Sequence, residues 1–121
     1  MTFTVRASSS PAPEEVRRAA VARPVLGEVY TDHGAQATWT PDRGWHDHQV
    51  SGLEPLAMHP ASGVLHYAQE IFEGLKAYRR DDGGVQLFRP DQNAARFARS
   101  AARLDMPTLP ESDFLESVTC L

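Results

Sequence analysis

The sequence predicts an α+β fold, and three observations carry that expectation. Strand-like runs and one β-hairpin signal fill the middle of the chain, amphipathic helical patterns follow them, and no internal repeat interrupts the order. At 121 residues the chain holds one domain at most, and a modest one.

The elements follow in order. Residues 1–12 are rich in Ser, Ala and Pro and read as a mobile tail. PEEVRRAAVA, from Pro13, reads as a short helix: proline stands near its first position, acids occupy the first turn, and Pro24 lies beyond its end. GAQATW (34–39) reads as a strand, and PDRG (41–44) is a turn signal joining it to the segment around His48–Leu56. HPASG (59–63) reads as a loop leading into VLHYAQEIFEG. LKAYRR and VQLFR flank DDGG (81–84), the pattern of a β-hairpin whose glycines supply positive φ. A helix is expected from about Asp91, as N-cap, to Leu104, with Ala94, Phe97, Ala98, Ala101 and Leu104 on one face and Pro107 as its stop. A last helix opens near Glu111, with Phe114, Leu115, Val118 and Leu121 on one face. It reaches Leu121 without a C-cap glycine, a basic last turn or a polar tail, so the chain reads as cut from a longer one.

Composition excludes several function classes. The net charge of -4, from 16 acids against 12 bases, argues against a partner made of nucleic acid or anionic membrane. No apolar run approaches a membrane span, and the N-terminus lacks the apolar stretch of a secretory signal, which together predict a soluble, cytoplasmic protein. Cys120 is the only cysteine, so neither an internal disulfide nor a cysteine-based zinc cage is expected. Lys76 is the only lysine among the 12 basic residues, so chemistry needing a lysine amine must use it or a residue outside the chain.

Candidate chemistry is sparse. In a strand, His46 and His48 would share a side and could share a metal, but no third ligand has a recognisable spacing. Solvated loop histidines are the favoured reading, and no metal site is expected. Arg96, Arg99 and Arg103 recur at helical spacing, which fits a solvated polar face or a phosphate clamp, and spacing does not choose between them. Tyr67, Phe72 and Tyr78 read as core or strand aromatics, and Glu73-Gly74 as a bend where backbone approaches a neighbour or ligand closely. No Gly-rich phosphate loop, nucleophile elbow or Cys/His pairing appears.

HPASGVLHYAQEIFEGLKAYRRDDGGVQLFRPDQNAARFARSAARLDMP (59–107) closely resembles the branched-chain amino acid aminotransferases, fold-type IV pyridoxal-phosphate enzymes. HYAQEIFEGLKAY is the most specific part, LFRPDQNAARFARSAARL follows at the family's distance, and TDH (31–33) and RGWHD (43–47) sit where such enzymes carry similar residues. The likeness covers roughly residues 24 to 121.

The resemblance implies that residues 13–121 are an incomplete small N-terminal domain, truncated at its C-terminal end. The large domain, with the Schiff-base lysine and the glutamate that pairs with the cofactor's pyridine nitrogen, is absent. It implies pyridoxal 5'-phosphate as cofactor and amino transfer between leucine, isoleucine or valine and 2-oxoglutarate in amino-acid biosynthesis. A homodimer is implied for the full-length enzyme. Arg96 matches the arginine that binds the cofactor phosphate, and Tyr67 and Phe72 match aromatics lining the pocket for the branched side chain. Leu26 lies where many members carry a phenylalanine of that pocket. Lys76 matches a small-domain strand position and not the Schiff-base lysine, so no catalytic residue is expected in this chain and the chain alone is expected to be inactive. Two rivals remain: another enzyme of the same fold type, such as a D-amino acid aminotransferase or aminodeoxychorismate lyase, and a catalytically inactive small domain serving as a binding module. The HYAQEIFEGLKAY wording favours the branched-chain group.

Overall fold

The computed structural model describes residues 2–25 and 27–121, so Leu26 lies outside the described residues. The chain is a small mixed α/β protein of short strands and helices, as the sequence predicts. It divides into two compact units, one running through Leu56 and including Ser117–Leu121, the other Ala57–Glu116.

The first unit is built on a three-stranded sheet. β1 (Thr4–Val5) is followed by helix α1 (Glu14–Ala22), β2 (His33–Thr40) and β3 (Gly44–Gly52). The spatial order is β1-β3-β2, with β3 central. β2 and β3 form an antiparallel hairpin closed over Pro41–Arg43, with Thr40 opposite Gly44 and Ala35 opposite Val50. The turn needs a left-handed residue at its exit, and Gly44 supplies it at φ +67°. The hairpin is the expected one, although its second strand begins at Gly44 and not near His48.

Residues 1–12 were expected to be a mobile tail, and the structure corrects this. Thr4 and Val5 pair in parallel with Gln49 and Val50, and the Arg6 amide donates to the Val50 carbonyl at 2.8 Å. The Ser8 amide donates to His33 Nε2 at 2.8 Å, and the Ala12 amide to Asp32 Oδ1 at 2.9 Å. Phe3 is buried against the His48 ring, edge to face, with centroids 5.1 Å apart. Low-complexity composition suggested freedom, but a free edge of β3 offered backbone partners and a hydrophobic seat. α1 matches its expected span and buries no residue. Exposed pairs from Glu14 to Arg17 and Arg18, at 3.2 and 3.1 Å, support its first turn.

In the second unit a short helix, α2 (Gly63–Tyr67), ends at Ala68 in the left-handed region, and an irregular run follows to Lys76. β4 (Ala77–Arg79) and β5 (Val85–Leu87) form the expected hairpin, with Tyr78 opposite Gln86. Gly83 takes φ +84°, and the Arg80 amide donates to the Gly84 carbonyl at 2.8 Å. Helix α3 (Pro90–Arg103) follows directly. Asp91, the N-cap expected from sequence, does not cap it. Arg89 holds that place at φ +48°, Pro90 is the first helical residue, and the Asp91 carboxylate instead accepts from Gln92 Nε2 at 2.7 Å. The amide-less proline at the first position leaves one fewer orphan donor to cap.

α3 also stops before Pro107. The Met106 amide donates to the Ala101 carbonyl at 2.9 Å and the Asp105 amide to the Ala102 carbonyl at 3.2 Å, while Asp105 takes φ +53°. This is a Schellman ending with aspartate in the place usually given to glycine. Ala94 and Ala101 are buried, and Phe97 meets Phe114 of α4 (Glu111–Cys120) at 5.2 Å between centroids. Leu104, expected on the same stripe, is exposed because it follows the last helical residue. Phe114 is buried as expected, whereas Leu121 is exposed. Among the described residues no helix is long and apolar enough to cross a membrane.

Candidate anion site on helix α3

The second unit carries an arginine-lined cavity. A cavity of about 300 Å³ is lined by Phe88, Arg89, Gln92, Asn93, Arg96 and Arg99. The i, i+3, i+4, i+7 and i+10 spacing of Arg89, Gln92, Asn93, Arg96 and Arg99 sets these polar side chains, counted from the N-cap Arg89, on one side of α3, opposite Ala94 and Ala101. Arg103, on the same expected stripe, is not part of the lining. Arg96 and Arg99 share a concave surface with Arg89. Among the described residues neither Arg89 nor Arg99 lies within ion-pair distance of a carboxylate, while the Gln92 hydrogen bond and, to a lesser degree, the Arg89 charge lower the Asp91 carboxyl.

Arg96 has a partner. Its Nε donates to Glu73 Oε2 at 2.7 Å and its Nη2 donates to Glu73 Oε1. Asn93 Nδ2 reaches the same Oε1 at 2.8 Å and the Gly74 carbonyl at 3.0 Å, and the Gly74 amide donates to Oε1 at 3.1 Å. The Glu73 side chain is only 3% exposed, whereas that of Arg96 is 61% exposed. Hydrogen bonds from Arg96, then from Asn93, with the guanidinium charge, pull the Glu73 carboxyl down to about 2 against a smaller opposing cost of burial. The same carboxylate raises Arg96 further above its usual range.

The other expected site residues are placed differently. Tyr67 ends α2 and Phe72 lies in the irregular run, and they are 86% and 84% exposed. Neither is the core aromatic that residue type alone predicts. The Tyr67 ring tilts against His66 at 6.3 Å. The Phe72 ring lies over Gly74, where an added Cβ would stand 3.6 Å from it. Phe72 is thus tied to Arg96 through its neighbour Glu73, and among the described residues Tyr67 shares no hydrogen bond or ring contact with either. Lys76 is exposed just before β4 and does not line the cavity. Sequence reasoning marked the Glu73-Gly74 bend without finding its partner. Arg89, Gln92 and Asn93 were missed because they belong to the site only once α3 is formed and begins at Pro90.

His46 and His48 are not solvated loop residues. Both lie on β3, where Gln36 pairs with Gln49 and Thr38 with His46, so the strand carries an extra residue and Asp47 bulges at φ +54°. His48 is buried against Phe3, while His46 Nδ1 lies 2.9 Å from Asp47 Oδ2 and its Nε2 3.2 Å from Thr40 Oγ1. The bulge breaks the alternation that would have put both rings on one side. Among the described residues no three His, Cys, Asp or Glu side chains gather as a metal site.

Comparison with known proteins gives this surface a context. No family model matches the chain. A probable branched-chain-amino-acid aminotransferase of Streptomyces coelicolor is 50% identical over 120 residues, covering 99% of this chain and 33% of the relative. The branched-chain-amino-acid aminotransferase of Mycolicibacterium smegmatis is 50% identical over 118 residues, covering 98% and 32%. The cytosolic branched-chain-amino-acid aminotransferase of Rattus norvegicus is 47% identical over 97 residues, covering 80% and 23%. The chain is therefore homologous to aminotransferases. More narrowly, its homologues are branched-chain-amino-acid aminotransferases, and it corresponds to their N-terminal third, spanning about a third of the length of the relatives it matches.

Proposed function

We propose that this chain forms the cofactor-phosphate side of a pyridoxal-phosphate-dependent branched-chain aminotransferase, within the small N-terminal domain of a fold-type IV enzyme. The observation that supports this reading is 50% identity over 120 residues to a probable branched-chain-amino-acid aminotransferase. The reaction of the full-length form is reversible amino transfer between leucine, isoleucine or valine and 2-oxoglutarate. The protein is cytoplasmic and homodimeric in that form. The small domain includes the β1 segment, because Thr4 and Val5 pair with β3 and Phe3 is buried beside them.

The residues present fit a phosphate ester. Three guanidinium groups line a cavity of about 300 Å³, and a phosphate is bound best by several forked donors at once. Arg96 binds the cofactor phosphate, and Arg89 and Arg99 supply the excess positive charge that the Glu73 carboxylate removes from Arg96. Pyridoxal phosphate, when bound, supplies the electron sink that amino transfer requires.

Tyr67 and Phe72 present exposed aromatic faces to the substrate's aliphatic side chain, which is recognised by burial with few polar contacts. Leu26, at a position where the resemblance puts a phenylalanine of that pocket in many members, lies outside the described residues. Lys76 does not line the cavity, which supports reading it as other than the Schiff-base lysine.

Titrating the chain with pyridoxal phosphate tests this. Binding is expected to be weak, to fall roughly tenfold in Arg96→Ala with the loss of one forked contact, and to leave no borohydride-stable adduct. A stoichiometric adduct on Lys76 accompanied by transaminase turnover would overturn the reading.

A further inference from the structure

An arginine meant for an anion is here committed along one edge to a carboxylate. A guanidinium has five N–H donors in a rigid fork. Glu73 takes the Nε–Nη2 edge of Arg96, which leaves Nη1 outside that pairing, on a side chain that is 61% exposed and lines the cavity. The carboxylate itself is withdrawn: it is 3% exposed, does not line the cavity, and is held from behind by Asn93 Nδ2 and the Gly74 amide. A surface ion pair formed by chance would leave both partners mobile and wet. This pair is lopsided, with an immobilised acid and a presented base.

We propose that Glu73 is a positioning residue of the anion site: it fixes the plane of the Arg96 guanidinium so that the Nη1 edge meets a phosphate. The inference rests on the phosphate-site reading above and adds a residue to it. Its chemistry has a cost, because a carboxylate behind Arg96 cancels that residue's charge and repels an incoming anion. The site accepts that cost in return for orientation, since an unrestrained arginine loses rotamer freedom on binding. Arg89 and Arg99 keep the field positive.

Orientation and charge predict opposite outcomes for Glu73→Gln. The substitution would make the site more positive by one charge, so a purely electrostatic role predicts tighter binding of inorganic phosphate. The amide NH₂ it introduces cannot accept from a guanidinium N–H, so the two-pronged restraint is lost. The positioning role therefore predicts binding roughly tenfold weaker, the scale set by freeing one arginine side chain. Glu73→Asp, which keeps the charge, is expected to recover part of the loss.

A second measurement needs no variant. In nitrogen-15 NMR of the wild-type chain, phosphate is expected to shift the Arg96 Nη signals while the Nε–H signal, bonded to Glu73, stays in place. Equal or tighter phosphate binding by Glu73→Gln overturns this inference alone. So does an Nε–H signal that moves with phosphate, because Glu73 would then be a placeholder that the anion displaces. If inorganic phosphate fails to bind wild type, or binds Arg96→Ala as well, the anion site itself falls and this inference with it.

Discussion

Val50 offers a direct measure of how the first sheet is built. It sits on the central strand, 1% exposed, between Val5 of β1 and Ala35 of β2. Val50→Ala removes two methyl groups, each worth ~0.8 kcal/mol in transfer from water, or about 1.6 kcal/mol together. The unfilled space and the poorer strand preference of alanine add about 1 kcal/mol. The expected loss is therefore about 2.5 kcal/mol. For a chain of 121 residues this corresponds to a fall in Tm of about 10 °C.

Urea unfolding should show a lower midpoint with an unchanged slope, since the native surface is otherwise preserved. Val5→Ala is the internal control. Val5 is the register neighbour of Val50 but is 58% exposed, so its substitution should cost no more than ~0.5 kcal/mol. Equal losses at the two positions, or a loss at Val50 below ~0.5 kcal/mol, would refute the β1-β3-β2 order and the core argued from it.

Two further outcomes follow from the second unit. The Glu73 carboxyl is depressed from 4.5 to about 2, so its ion pair stabilises the fold above the unfolded value and that contribution is lost as pH falls from about 4.5 to 2; Glu73→Gln should flatten stability across that window, and an unchanged acid profile would contradict the pairing. Asp105→Gly should raise stability by roughly 0.5 kcal/mol in thermal unfolding, because glycine holds the left-handed C′ position without a Cβ, whereas a loss would argue against the Schellman ending.

Local elements were legible in the sequence wherever a short-range rule governs them. The β4–β5 hairpin followed from DDGG, α1 from its proline and acids, and the α3 face from the spacing of Ala94, Phe97 and Ala101. Where two local signals competed, the reading slipped. Asp91 looked like a cap, but Pro90 already occupied the first turn. The histidine pair was misread because one extra residue at Asp47 changes the side that every later residue faces, and nothing in HDH announces a bulge.

The sequence by itself determined the local α and β segments and the single lysine. The tertiary structure alone decided what lies beside what. Thr4 and Val5 reach Gln49 and Val50 across most of the first unit, converting an apparent tail into a sheet strand. Glu73 reaches Arg96 across 23 positions and pairs with it through two hydrogen bonds. The reason is the range of the forces involved: turn, cap and periodicity effects act within a few residues, while ladder pairing, burial and ion pairing depend on distances that exist only after the chain has closed on itself.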